Sequence, residues 1–491
     1  MLVILESIFM GAVTLVSLWY HYSVGDSDCK ALGITTGVTA LVGIVLTVCG
    51  EYRRGRHQVL SRGDNLLIVA LTWAMFSVFG CMPFLLYEGL QIDVASAYFE
   101  TMSGFTTTGA TVLSNIDSLP HGLLLWRSVT QWMGGLGIVV FSFALIPVNE
   151  MRNSNMFQAE VTGISLDRLR PRIGATARRL LLIYVVLTTV CTLFYVAGPM
   201  NWFDAINHAM TTIATGGYST HSASMGYWHS AYLEYVASVF MIVSSINFSL
   251  YYFMSIGRPR VFLRNEEMRS FLLVVVGFVA MFCLLLRFAP IHHHNPEALH
   301  PGPGIDIFRA ALFHVSTTIS SSGFQGEYFD YVGWGASFWM PTVLIMAIGA
   351  CAGSTAGGIK IVRILIYLKC VWNEFILSLH PRAVLAVRLS GKVIPDANVR
   401  KALAYIIMYT ILSVLGIVAF THLGVDVDSA IGACISSLSN VGPGTGVFGP
   451  ASTFAAMPAM GKWLLSFYML VGRLEIFTVL FLFLPEFWRR K

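Results

Sequence analysis

A stretch of small hydroxyl residues running into glycine occurs four times in this sequence. The copies are Thr106-Thr107-Thr108-Gly109-Ala110-Thr111, Ile213-Ala214-Thr215-Gly216-Gly217-Tyr218, Ser320-Ser321-Ser322-Gly323-Phe324-Gln325 and Ser439-Asn440-Val441-Gly442-Pro443-Gly444. Aligned on Gly109, Gly216, Gly323 and Gly442, they are 107, 107 and 119 residues apart. Self-similarity at a fixed period restricts the possible folds more than any single motif, and this period is too long for a stacked solenoid unit. Each copy follows a short amphipathic run, at residues 95–105, 204–212, 306–319 and 428–438, and lies between two long apolar segments. As helices at 1.5 Å per residue these runs would reach roughly 15 to 21 Å, about half of a membrane. Each is therefore expected to be a re-entrant helix. Irregular backbone at membrane depth is tolerated where protein or a water-filled cavity surrounds it, so the four stretches are expected to line a pore.

Glycine tolerates backbone angles that other residues avoid, which suits a chain whose carbonyls must all turn to one side. Inward-turned carbonyls replace the water around a cation, and four such loops about one axis would form rings of oxygens, as in potassium-channel filters. A lone Ser/Thr/Gly run is ordinarily an external turn; recurrence in four copies, each behind a short run, argues for a shared site. The filter residues expected on this basis are Thr107, Thr108 and Gly109; Ala214, Thr215 and Gly216; Ser321, Ser322 and Gly323; and Asn440, Val441 and Gly442. Carbonyls at the C-terminal ends of the short helices would add partial negative charge facing the ion.

Composition places these repeats in a bilayer. Of 491 residues 56% are hydrophobic and 12% charged, with a mean hydropathy of +0.69, whereas soluble domains carry about 25% charged residues. Ten apolar segments are long enough to span, at residues 2–22, 31–50, 66–87, 123–148, 180–197, 232–256, 271–288, 337–368, 402–423 and 463–484. The first lacks a basic leading region and a small-residue cleavage site, so it reads as a retained helix. Arginine and lysine concentrate in alternate loops, around Arg53–Arg62, Arg152–Arg179, Arg258–Arg269 and Arg382–Lys401, and in the tail Arg489-Arg490-Lys491. By the positive-inside rule both termini lie in the cytoplasm and all four glycine stretches face outward. The net charge of +5 thus reflects orientation and not nucleic-acid binding. Acidic residues in the outer loops, among them Asp93, Asp117, Asp204 and Glu327, would draw cations towards the pore mouth. The cysteines lack metal-ligand spacing and read as packing residues, and His292-His293-His294 read as loop histidines.

The expected architecture is an all-α polytopic membrane protein. Two leading transmembrane helices (residues 1–62) precede four span, pore helix, filter, span repeats at 63–150, 151–260, 261–372 and 373–491. Three stretches are specific enough to name a resemblance: residues 99–111 (FETMSGFTTTGAT), 126–137 (WRSVTQWMGGLG) and 353–360 (GSTAGGIK). Together with the repeats they resemble the Trk/Ktr/HKT superfamily of bacterial, fungal and plant potassium transporters, and its Trk branch in particular. The resemblance covers the whole chain, including the two leading helices. It implies four pseudo-fourfold repeats in one subunit, a homodimer, K⁺ as the bound substrate ion without an organic cofactor, and a separate TrkA-type cytosolic nucleotide-binding regulatory subunit. In related plant transporters, serine at the first filter glycine accompanies Na⁺ preference.

Two features inside spans carry alternative readings. Gly349, Gly353 and Gly357 recur every fourth residue, the small-xxx-small pattern of close helix packing. Yet the glycines, with Gly358 adjacent and Lys360 following, weaken a helix, and the resemblance implies a flexible loop there that obstructs the pore below the filter. Arg473 lies within the last span, where a charge costs at least about 2.5 to 3.5 kcal/mol and must face protein or a cavity. It is either a fixed positive barrier in the pore, as the resemblance implies, or half of a structural ion pair. The leading functional expectation is potassium uptake through a channel-like pore at the bacterial inner membrane. A secondary transporter, coupled to Na⁺ or H⁺, is the alternative; inverted repeats and broken spans would mark a midplane-binding one. No paired acids, metal ligands or nucleophile dyad within spans suggests an enzyme.

Overall fold

The computed structural model describes residues 2–52, 62–144, 173–288, 305–328 and 335–489. The leading pair is α1 (Leu2–Ser23) and α2 (Cys29–Tyr52). In the region of the expected first repeat follow α3 (Arg62–Gly80), α4 (Val94–Phe105) and α5 (His121–Ala144). In that of the expected second are α6 (Ile173–Val196), α7 (Trp202–Ile213), α8 (Ala231–Ser244) and α9 (Phe248–Ser255). In that of the expected third are α10 (Glu266–Phe288), α11 (Ile305–Ile319), α12 (Ala336–Ile348) and α13 (Ile361–Leu379). In that of the expected fourth are α14 (Asp396–His422), α15 (Val427–Ser439), α16 (Ala459–Arg473) and α17 (Ile476–Leu480). A two-stranded antiparallel ribbon, β1 (Arg388–Leu389) and β2 (Lys392–Val393), pairs Arg388 with Val393 and Leu389 with Lys392 between the last two repeats. Arg53, Arg54 and Arg56, much of the second basic loop, and His292 to His294 fall outside the described residues.

Among the described residues six helices are long and apolar enough to cross a membrane, or up to eight if each bent pair is one span. Large side chains such as Leu15, Leu273 and Val276 stand exposed on them, as lipid-facing positions must. The short helices α4, α7, α11 and α15 carry the opposite signature, because nearly all of α4 is buried, with Ala97, Phe99 and Ser103 fully enclosed. Side-chain caps define where three of them begin. Asp93 accepts from Ser96 N, Asn201 from Asp204 N and Asp426 from Ser429 N, satisfying amides that a helix start leaves free.

The leading pair docks on the first repeat through acids. Asp26 Oδ2 accepts from His121 N and Asp28 Oδ2 from Leu123 N, each at 2.9 Å, placing negative charge at the start of α5, where the helix dipole favours it. Ser17 Oγ donates to the other Asp28 oxygen at 2.6 Å.

Besides residues 337–368, which the stretch between α12 and α13 interrupts, two expected spans are not single straight crossings. Residues 232–256 form α8 and α9, which meet at 87°, and residues 463–484 form α16 and the segment from Ile476, which meet at 118°. Both pieces of each span are apolar, so hydropathy alone merges them. The first break persists because its freed backbone groups find partners elsewhere: Phe248 N donates to Gly353 O at 3.0 Å, and Ser245 O accepts from Cys351 N at 3.1 Å.

Candidate functional site

The four short helices end in the same way. In the first, Thr107 N donates to Gly104 O and Thr108 N to Ser103 O. The same i−3 and i−5 pair recurs at Thr215 and Gly216, at Ser321 and Ser322, and at Asn440 and Val441. This is a Schellman termination, which requires a left-handed residue immediately after the helix cap. Thr107, Thr215, Ser321 and Asn440 fill that position, with φ of 52°, 54°, 55° and 54°. Glycine usually sits there; a side chain in this region costs about 1 to 3 kcal/mol, a strain that concentrates at functional sites.

That termination also sets the register among the copies. Two residues on, Gly109, Gly217, Gly323 and Gly442 have φ of 83°, 76°, 74° and 107°. The second copy therefore aligns through Gly217, one residue later than the expected Ala214-Thr215-Gly216 alignment; Thr215 matches Thr107, and Ala214 matches Thr106. Sequence spacing cannot distinguish two adjacent glycines, whereas the helix termination does.

These glycines close a ring. A Cβ on Gly109 would collide with Gly216 O, one on Gly217 with Ser322 O, one on Gly323 with Val441 O and one on Gly442 with Thr108 O. Each copy thus abuts the carbonyl of the next, and the fourth returns to the first. The Cβ position of Gly109 also lies 3.6 Å from Ser322 O, so oxygens of two other copies converge there. On the helix side of this ring, Thr107 Oγ1 and Asn440 Oδ1 are buried without a hydrogen-bond partner. A cavity opens on the other side, lined among others by Gly109, Gly217, Gly323, Gly442, Arg127 and His221.

Several side chains that hold this arrangement have no assigned role in the sequence reading. Glu100 in α4 is ion-paired to Arg127 in α5 at 3.0 Å, with both side chains almost wholly buried. Glu100 also accepts from Val112 N and Thr111 Oγ1, while Arg127 donates to Ser219 O and lies 4.1 Å from the centre of the Tyr218 ring. Gln131, one turn further along α5, donates through Nε2 to Gly216 O at 2.7 Å and accepts from Tyr218 N at 3.0 Å. Asn440, already expected in the filter, also donates through Nδ2 to Thr108 Oγ1 and Met469 O. Between the second and third copies, Arg309 contacts both Glu234 and Glu327. Glu100, Arg127 and Gln131 all lie in the stretches that carry the family resemblance, yet their partners are distant in sequence and only packing reveals them.

Below the ring lies the stretch from Gly349 to Lys360. It is not helical, so its glycines form no helix-packing stripe; Gly349, Gly353, Gly358 and Lys360 all have positive φ, from 69° to 79°. The loop touches three short-helix ends. Thr355 Oγ1 donates to Ile213 O, Gly357 N donates to Ser321 Oγ, and a Cβ on Gly357 would strike Ser439 O. Ala352 N donates to Glu267 Oε1 at 2.7 Å, and Lys360 Nζ reaches back to Ala356 O. Arg473 is buried; its Nη1 donates to Thr355 O at 2.6 Å and its Nη2 to Gly134 O at 2.9 Å. No carboxylate pairs with it among the described residues, and Glu475 pairs with Arg363 instead. The guanidinium therefore ties the loop to α5, directly under the ring.

The chain is similar to known proteins over nearly its whole length. The family described as TrkH, cation transport protein, matches residues 40–490. The chain is 36% identical to the Trk system potassium uptake protein TrkH of Salmonella typhimurium, covering 100% of this chain and 98% of that one. It is 37% identical to the TrkH of Vibrio parahaemolyticus, with the same coverage of each. The crystal structure of the potassium transporter TrkH from Vibrio parahaemolyticus superposes with a TM-score of 0.85 at 33% identity, covering 99% of this chain and 98% of that one. With family match, full-length identity and fold in agreement, the chain belongs to the TrkH family of cation transport proteins.

Proposed function

We propose that this protein is the membrane subunit of a bacterial potassium-uptake system, passing dehydrated K⁺ through the ring formed by the four glycine stretches. The observation that carries the reading is the closed succession of carbonyls Gly216, Ser322, Val441 and Thr108 against Gly109, Gly217, Gly323 and Gly442. Its curated relatives are potassium uptake proteins by name. The chain's own groups would act in order. Acids of the outer loops concentrate cations, ring carbonyls replace the hydration shell, and the ends of α4, α7, α11 and α15 direct partial negative charge at the ion. The loop at residues 349–360 and Arg473 then obstruct the path beneath.

In this reading the four repeats occupy residues 63–150, 151–260, 261–372 and 373–491, both termini are cytoplasmic, and the glycine stretches open outward from the bacterial inner membrane. The protein works as a homodimer, and a TrkA-type cytosolic nucleotide-binding subunit docks on the basic inner loops and moves the intramembrane loop. The deciding experiment is flux in proteoliposomes with K⁺, Rb⁺ and Na⁺, with and without an imposed pH gradient. Selective K⁺ and Rb⁺ flux that follows only their own gradients is the expected result. Accumulation driven by a Na⁺ or H⁺ gradient would instead establish coupled symport through the same filter, and equal K⁺ and Na⁺ flux would remove the selective ring.

A further inference from the structure

The second filter copy lacks a hydroxyl brace that the first and third carry. In the first copy Thr106 and Thr108 hydroxyls lie 2.8 Å apart, and in the third Ser320 and Ser322 hydroxyls do the same. In the fourth, Val441 is buried in the core and Ser439 bonds Tyr409. The equivalent residues of the second copy are Ala214 and Gly216, which have no polar side chain to offer. Gln131 occupies the vacant place. A Cβ on Gly216 would run into its side-chain amide, and that amide bonds the backbone on both sides of Gly217, at Gly216 O and Tyr218 N. Across a trans peptide the carbonyl points opposite to the N–H, so anchoring Tyr218 N turns Gly217 O away from Gln131. Gly216 O keeps one lone pair for Gln131 and presents another beside Gly109.

We infer that Gln131 is a positioning residue for ion discrimination: it replaces, from the neighbouring repeat, the missing side-chain brace of the second filter copy and sets where Gly216 O stands in the ring. This rests on the reading of the ring as a cation filter. A carbonyl free to move inward closes on a smaller ion, so loss of the brace favours Na⁺.

The test is the ratio of Rb⁺ to Na⁺ uptake in proteoliposomes, per unit of monodisperse protein. Gln131→Glu keeps the size and the acceptor for Tyr218 N but has no donor for Gly216 O. It is expected to lower the ratio about tenfold, the scale of one buried hydrogen bond. The triple variant Gln131→Ala, Ala214→Ser, Gly216→Ser installs the hydroxyl pair of the third copy and is expected to recover most of the ratio. A purely structural role would lower folded yield and scale both ions together. An unchanged ratio in folded Gln131→Glu overturns the inference. If that variant does not fold, the triple decides: an unfolded or unselective triple overturns it as well. Gly109→Ser separates the two levels. If it leaves the ratio unchanged the filter reading itself fails; if it shifts the ratio while Gln131→Glu does not, only the role of Gln131 fails.

Discussion

At the scale of single residues, the ring glycines are demanded by close approach as well as by backbone angle. Any side chain on Gly109 meets Gly216 O, and its φ of 83° adds strain for a residue with a Cβ. Gly109→Ser is therefore expected to lower the K⁺/Na⁺ flux ratio, and an unchanged ratio in folded protein would remove Gly109 from the filter. Gly217→Ser is expected to act likewise, which tests the one-residue shift in register directly. Arg473 differs in kind, since it bonds carbonyls of Thr355 and Gly134 and lacks a carboxylate partner among the described residues. A cation about 4 Å from a guanidinium meets roughly 4 kcal/mol of repulsion at an effective dielectric near 20. Arg473→Ala is expected to raise K⁺ and Rb⁺ flux alike while keeping selectivity; normal protein levels with unchanged or lower flux would sink the barrier role. Because Glu475 pairs with Arg363, Glu475→Gln is expected not to reproduce the Arg473→Ala phenotype.

At the scale of elements, the loop between α12 and α13 buries Ala350, Cys351 and Ala356 in the core and is joined to several helices by scattered single bonds. Phe248 N, Glu267, Ser321 Oγ and Arg473 each contribute one or two. Its backbone, outside regular secondary structure, rests on these bonds and not on a helical ladder. Shortening residues 349–358 is expected to leave the protein folded and raise basal flux, read as yield and flux on one preparation. Loss of folded protein without gain of flux would mean that the loop serves assembly and not obstruction. The bend between α8 and α9 belongs to the same element, since its freed backbone groups bond the loop.

At the scale of the whole molecule, neighbouring repeats are joined above the ring by polar contacts. His221, from the loop after the second copy, lies between Asp117 of the first repeat at 2.8 Å and Asp204 at 3.4 Å, with its ring stacked on Tyr227. Buried His208 and Trp228 also face this group. Burial alone would depress the His221 pKa, but the two carboxylates outweigh it and hold the imidazole above its ordinary value. Neutral imidazole donates from only one nitrogen, so one carboxylate contact weakens on deprotonation. A raised folded-state pKa gives stabilisation that is complete below the unfolded value of about 6.5 and is lost as pH rises through the folded value. Thermal stability is therefore expected to fall as pH rises above about 6.5 by a component absent in His221→Gln. An identical pH profile in that variant would exclude His221 as its source.

Much of this was legible in the chain itself. The apolar runs, the four glycine stretches behind short runs and the weak helix at residues 349–358 are local patterns, written in hydropathy and backbone preference, and the short helices lie within two residues of the expected runs. Tertiary structure alone decided matters that depend on contact between distant residues. It chose Gly217 over Gly216, because a helix termination and a neighbouring carbonyl distinguish glycines that composition leaves equivalent. It also bent two apparently continuous spans, since whether a broken helix persists depends on who satisfies its freed amides and carbonyls. Likewise, it gave Arg473 two carbonyls where sequence left an ion pair open. A hydrogen-bonding group declares its capacity in the sequence, but its partner is determined only when the chain closes on itself.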